Sequence, residues 1–335
     1  MLSVATALVL TATSGTSRAI INGTSSPAAQ DYVVQIAIEK DGKRVPFCTA
    51  TLVAKNLVIT ARHCTGELSD DEESITSFSP AKLAFYFGTG AGPRTIDEEP
   101  DAFGKTLFTN GRDDLEPDIA LVELDRAVTL PIAPIRLDGG ATLGETVDVV
   151  GYGLTEDHLY PSVRQQRKGL EIATVGPGET DFFALNEGEF QFGEAACAGD
   201  SGGPALSSST GAIVGIASRV TNGEERSETK VASFCMGSKA EDIYTDLTPA
   251  RAFIEDAFAA VGAEPWIEGE PTPEEKAAQR AEEERQAAAS QAAAESGCAV
   301  RPPRALPGEL PAVAPFGVLL FAGALRRRSR RRLRL

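Results

Sequence analysis

Between Tyr32 and Ser218 the apolar positions come in short bursts rather than long helical stripes. Tyr32 to Glu39, Leu52 to Thr60, Leu83 to Phe87, Ile119 to Leu124, Val147 to Gly151 and Ala212 to Ser218 are rich in β-branched side chains and separated by Gly, Pro and Asp turns. Runs of that length and composition predict strands of an antiparallel, all-β domain. The period changes after Thr248-Pro249, which read as an N-cap and first helical position. Phe253, Ile254, Ala257, Phe258 and Val261 then fall at helical spacing before Gly262. From Ala263 to Gly297 there is almost no bulky apolar residue after Ile267. A segment with so little to bury reads as a stalk, part Ala/Glu/Arg helix and otherwise disordered.

Both ends carry apolar runs of another kind. Leu2 to Ala12 is followed by small and polar residues with Ser17 and Ala19 placed as a signal peptidase prefers, so residues 1–19 read as an export signal that lacks a basic lead. Leu310 to Leu325 is about sixteen residues, short of the roughly 20 that span a bilayer comfortably. Seven arginines follow between Arg326 and Arg334. Placed behind an apolar stretch, they would keep the C-terminus cytoplasmic and argue against nucleic acid as partner. The chain as a whole is formally −16, a field that disfavours polyanions and mildly favours basic substrates. The domain plan is therefore 1–19 signal, 20–262 folded domain, 263–297 linker and 298–335 membrane tail.

The chemistry concentrates in Gly199-Asp200-Ser201-Gly202-Gly203-Pro204. A serine hydroxyl is a poor nucleophile until a base takes its proton, and the carbonyl it attacks needs backbone N–H donors aimed at the developing oxyanion. Glycines on either side of Ser201 let the backbone turn tightly enough. The chain has two histidines. His63 ends an apolar strand in Thr60-Ala61-Arg62-His63-Cys64, whereas His158 lies in the polar stretch Glu156-Asp157-His158 and reads as an exposed loop residue. A carboxylate in an apolar setting must orient the imidazole. Asp118, in Pro117-Asp118-Ile119-Ala120-Leu121, fits better than Asp113 or Asp114, which sit in a polar run.

With its flanks, Ala196-Cys197-Ala198-Gly199-Asp200-Ser201-Gly202-Gly203-Pro204 resembles the nucleophile loop of the chymotrypsin/trypsin family of serine peptidases. The His63-Cys64 and Asp118-Ile119-Ala120-Leu121 motifs resemble its other two signatures, in the chain order of that family. The resemblance implies two antiparallel six-stranded β-barrels joined near residues 138–145 and closed by a C-terminal helix. His63 and Asp118 would then lie on the first barrel and Ser201 on the second. It implies disulfides Cys48–Cys64 and Cys197–Cys235, hence an oxidising, extracytoplasmic compartment. The N–H groups of Gly199 and Ser201 would form the oxyanion hole, and Ser218 would hydrogen-bond Asp118. Ile20-Ile21-Asn22-Gly23 resembles the family's mature N-terminus, so that after cleavage behind Ala19 the α-amine of Ile20 would pair with Asp200. No cofactor is implied, and no metal: the acidic run Ser69 to Ser74 reads as an exposed loop rather than a calcium site.

The resemblance leaves specificity open. Ala195 stands at the pocket base where trypsin carries aspartate, and Val220 narrows the entrance as in elastases, which favours a small apolar P1 residue. Asp242, at a wall position, makes basic P1 the competing case, and Arg219 replaces the family's usual tryptophan. The tail, Ser296-Gly297-Cys298 with the apolar stretch and arginines, resembles the myxobacterial C-terminal sorting signal. Cys298 would then be the processing and lipid-attachment point. The competing view is a plain anchor with an incidental cysteine. The sequence thus predicts an exported, surface-anchored serine endopeptidase acting on proteins or peptides, with a catalytically silent binding protein of the same fold as the alternative. Oligomeric state is not encoded legibly.

Overall fold

The computed structural model describes residues 20–69, 74–89, 99–110, 117–157 and 163–297. In the first half, β-branched and aromatic runs form six strands: β1 (Val33–Lys40), β2 (Lys43–Ala54), β3 (Leu57–Thr60), β4 (Ala84–Tyr86), β5 (Ala102–Phe108) and β6 (Ala120–Leu124). They close into a barrel in the order β1-β2-β3-β6-β5-β4, with Ile36 of β1 opposite Phe85 of β4 completing the ring. Closure leaves no free edge. The apolar run Leu52 to Thr60 is divided between β2 and β3 because the polar pair Lys55-Asn56 turns the chain back on itself.

The second half contains β7 (Thr146–Gly151), β8 (Gln165–Glu171), β9 (Glu189–Gly193), β10 (Pro204–Ser207), β11 (Ile213–Thr221) and β12 (Glu241–Asp246). They pair in the order β8-β7-β10-β11-β12-β9. The expected second closed barrel is not formed by backbone pairing among the described residues. Two short segments occupy the edges that would have met: Thr24–Ser25 pairs with β8, and Thr174–Val175 pairs with β9. The result is one closed barrel and one open eight-stranded sheet. Phe190, Phe192 and Tyr244 pack tilted against one another in the core of the sheet, with ring centroids 4.8–6.2 Å apart.

Thr248-Pro249 opens a 3₁₀ turn, and the α-helix proper, α1, spans Arg251–Ala260. Its buried face is Ile254, Ala257 and Phe258, as the helical spacing predicts. The chain past Gly262 does not leave the body at once. The Ile135 N–H donates to the Trp266 carbonyl at 2.8 Å, and the Glu268 N–H donates to the Ile135 carbonyl at 2.9 Å. Ile267, the last bulky apolar residue of the linker, packs on the core, and Arg136 pairs with both Glu145 and Glu268. A second helix, α2 (Pro273–Gly297), starts with a capping box in which Thr272 and Glu275 exchange hydrogen bonds. Contacts divide the chain at Gln279/Arg280. The described side chains of α2 beyond that point are exposed, as its Ala/Glu/Arg/Gln composition requires. Among the described residues no helix is long and apolar enough to cross a membrane. The export signal (1–19), Asp70 to Glu73, Asp113, Asp114, His158, Cys298 and the apolar run Leu310 to Leu325 lie outside the described residues.

Candidate functional site

The site is built where the nucleophile loop meets the closed barrel. After β3 the chain enters a short 3₁₀ turn, Arg62–Thr65, that carries His63. Its neighbour Arg62 is buried rather than exposed, because its guanidinium donates to the hydroxyls of Thr65 and Ser77 at 2.9 and 3.0 Å. Asp118 lies just before β6, which pairs with β3, so the ladder itself brings the two side chains together.

One oxygen of Asp118 accepts the backbone N–H of His63 at 3.0 Å. The other lies 2.8 Å from His63 Nδ1 and accepts the Ser218 hydroxyl at 2.6 Å. Burial by itself would raise this carboxyl. The charge of the imidazole and the hydrogen bonds from His63 and Ser218 outweigh it, holding Asp118 below the usual aspartate range. An ionised carboxylate fixed in that position orients the ring and stabilises an imidazolium.

The nucleophile loop hangs from the first barrel by two hydrogen bonds from Thr49. The Thr49 N–H donates to the Ser201 carbonyl and the Thr49 hydroxyl to the Gly199 carbonyl, both at 2.8 Å. A Cβ on Gly202 would lie 2.0 Å from the Thr60 hydroxyl and 2.3 Å from the Thr49 carbonyl, so only glycine allows this approach. Gly199 is at φ 97°, which an L side chain rarely adopts. The disulfides Cys48–Cys64 and Cys197–Cys235 are both formed and tie down the His63 turn and the nucleophile loop. Among the described residues, Cys48, His63 and Cys64 come close enough to hold an ion, but both sulfurs are spent in the disulfide.

Asp200 is fully buried behind the nucleophile. It accepts the N–H of Gly153 at 2.7 Å and of Cys197 at 2.9 Å. Burial pushes its carboxyl up to about 7, against the opposing pull of those two N–H groups. A Cβ on Gly151 or Gly153 would fall 2.1 or 2.3 Å from its oxygens. The two glycines of Gly151-Tyr152-Gly153 therefore make the room, a role the sequence reading missed although the Gly-x-Gly spacing was visible. Ile20 is fully buried in the core of the second half at φ 60°.

Beside Ser201 is a cavity of about 10 Å³ accessible to water, roughly one probe sphere. Cys197, Ser218, Arg219, Val220 and Tyr244 help to line it. Ala195 and Asp242, the other two residues expected at the pocket, are both fully buried beneath it and do not line the open space. One oxygen of Asp242 accepts the Ala196 N–H; the other, Oδ1, is buried with no hydrogen-bond partner. Burial, with a smaller contribution from Asp200, raises its carboxyl well above the aspartate range. Arg219 is committed elsewhere: its Nη2 lies 2.7 and 2.8 Å from the two oxygens of Glu189, and its guanidinium rests over Phe183. Glu189 is buried, and nothing in its local sequence marked it as Arg219's counter-ion.

The family model described as Trypsin matches residues 20–236. Mannan-binding lectin serine protease 1 of Rattus norvegicus is 29% identical over 204 residues, which cover 55% of this chain and 29% of the relative. The snake venom serine protease BITS01A of Bothrops insularis is 30% identical over 179 residues, covering 49% and 64%. Trypsin-1 of Astacus astacus is 28% identical over 218 residues, covering 59% and 88%. The chain thus spans under a third of the length of the mannan-binding lectin protease it matches.

Proposed function

Because the chain belongs to the trypsin family, we propose that it is an exported serine endopeptidase that hydrolyses peptide bonds through an acyl-enzyme. The observation that carries this reading is the Asp118 carboxylate, bonded at once to the His63 N–H, near His63 Nδ1 and to the Ser218 hydroxyl. Ser201 attacks the scissile carbonyl. His63 takes its proton and returns it to the leaving amine, and Asp118 stabilises the imidazolium between the two transfers. The N–H groups of Gly199 and Ser201 hold the oxyanion. Cleavage after Ala19 frees the α-amine of Ile20, which pairs with Asp200 and supplies the cation that this buried carboxyl needs.

A small apolar P1 residue fits best, since the cavity beside Ser201 is bounded by Val220 and Tyr244 and holds little more than a water. The unpartnered Oδ1 of Asp242 favours a second reading, in which a long basic P1 side chain opens the wall and ionises that carboxyl. The two disulfides support an oxidising compartment. Display at the cell surface, with processing at Cys298, rests on the sorting-tail resemblance.

The test is cleavage of a peptide library varied at P1 by the secreted chain beside its Ser201→Ala variant. Cleavage after small apolar residues that vanishes in the variant supports the first reading, and cleavage after Lys or Arg moves specificity to Asp242. Folded protein without Ser201-dependent turnover would be a binding protein instead. Activity should also fall at low pH as His63 takes up a proton and can no longer act as base, and again at high pH as the Ile20 amine loses the charge that pairs with Asp200.

A further inference from the structure

The first residues of the described chain lie where the second half fails to close. Ile20 packs in the core of the open sheet, while Ile21 packs separately with Leu154, Phe234 and the Cys197–Cys235 disulfide. The Ile21 N–H donates to the Ala195 carbonyl at 2.7 Å, and Arg167, on β8, donates to the Ile21 carbonyl at 3.3 Å. The segment thus bridges β8 and the chain leaving β9.

Glu194, the residue after β9, gathers these parts. Its Oε1 accepts the Asn22 side-chain amide at 2.6 Å and lies 3.1 Å from Arg167 Nη1. Its Oε2 accepts the backbone N–H of Gly237. Gly237 follows Cys235-Met236, and Met236 packs in the same cluster as Val220. Asn222 completes the route, its amide donating to the Ser233 and Met236 carbonyls at 2.7 Å each from just past the end of β11. Burial alone would raise the Glu194 carboxyl, but the bonds from Gly237, Asn22 and Arg167 outweigh it and keep it charged.

We propose that Glu194 is a positioning residue: its carboxylate couples the seating of Ile20 to Asn22 to the Met236-Gly237 segment, which shares a packed cluster with Val220 of the substrate cavity. This rests on the peptidase reading above but uses a route distinct from Asp200. Asp200 touches the backbone of Cys197 and Gly153 and so acts on the nucleophile loop. Glu194 touches Gly237 and so acts, through Met236 and the cluster it shares with Val220, on that side of the cavity. Loss of the Glu194 route should therefore weaken substrate binding while leaving the chemical step, and disturb KM rather than kcat.

The experiment is a double-mutant cycle in the full secreted chain with Asn22→Gly, Glu194→Gln and their combination. Glycine suits position 22 because Asn22 sits at φ 58°, so the change removes the amide without opposing the backbone. Parent turnover is first shown to depend on Ser201, by Ser201→Ala. Steady-state constants on a peptide amide and thermal melts are then compared. The expected result is a KM raised about tenfold in each single variant, as for a lost charged hydrogen bond. kcat should change less than about twofold, and the double variant should be no worse than the costlier single. Lowered melting temperatures with KM unchanged, additive effects, or an equal fall in kcat would overturn the coupling. If Glu194→Gln fails to fold, Asn22→Gly alone decides through its KM. A parent chain without Ser201-dependent turnover removes the peptidase reading and this proposal together, whereas an active parent with unaltered variants removes this proposal only.

Discussion

In the first half of the molecule six strands return to their starting point, and His63 and Asp118 are presented by a ladder with no loose edge. In the second half the strands β8 and β9 approach without pairing, and side chains make the link instead, Arg167 of β8 reaching the Ile21 carbonyl and Glu194 just past β9. The difference teaches where adjustability resides. The base and its carboxylate sit on the part that backbone pairing alone specifies. The nucleophile loop and the cavity wall sit on the part whose closure depends on side chains and on the segment Ile20 to Asn22.

The largest effects fall where the halves meet: Ser201→Ala should lower kcat by about 10⁶, and Asp118→Asn by about 10⁴ while leaving the fold intact, both read from steady-state kinetics. Next come the cores. Ile36→Ala in the closed barrel and Ile20→Ala in the open sheet each remove a fully buried side chain and should each cost about 2–5 kcal/mol in denaturant unfolding. Only Ile20→Ala should also lower activity measured well below the midpoint, because only that side chain anchors the segment whose amine is proposed to pair with Asp200. Replacing both Cys48 and Cys64 by alanine should cost about 3 kcal/mol, the loop-closure value for the 16-residue separation.

The pH prediction separates intact from processed chains. Asp200, held at about 7 against an ordinary 3.8, binds its proton more tightly folded than unfolded. Stability of the uncut chain should therefore fall as pH rises from about 4 to about 7, with Asp242 adding in the same direction. Thermal melts across that range should show the slope in the uncut chain. A chain beginning at Ile20 should lose the Asp200 part of it, since the amine lowers that carboxyl. The subtlest contrast is in hydrogen exchange, where the β3 amides should outlast those of Thr24–Ser25 at the edge of the open sheet.

What the sequence made legible follows a physical line. His63, Asp118 and Ser201 were readable because nucleophilic catalysis constrains residue type and its immediate flanks. The buried face of α1 was readable because Ile254, Ala257 and Phe258 keep helical spacing. β8 escaped notice because Gln165-Gln166-Arg167-Lys168 is polar, and its pairing is set by partners far along the chain rather than by its own pattern. β5 escaped because Gly104-Lys105-Thr106 interrupt its apolar run, whereas Glu189-Phe190-Gln191-Phe192 alternates strictly, so β9 was legible and was passed over. Glu189 and Glu194 look like ordinary surface acids until the fold supplies Arg219 and Arg167. The linker began to read as a stalk at Ala263 because Trp266 and Ile267 are only two apolar residues, yet a carbonyl and an N–H offered by Ile135 are enough to hold them.

The left-handed Ile20 carries one more consequence. A β-branched residue at φ 60° is held there at a cost on the order of 1–3 kcal/mol, and φ is a torsion that exists only while a preceding carbonyl is attached. Scission before Ile20 would erase the torsion along with its penalty, leaving the buried side chain in place and nothing pulling it back. The cut would then work as a ratchet, in which the precursor strains against its own docked end and the product has no reason to undock.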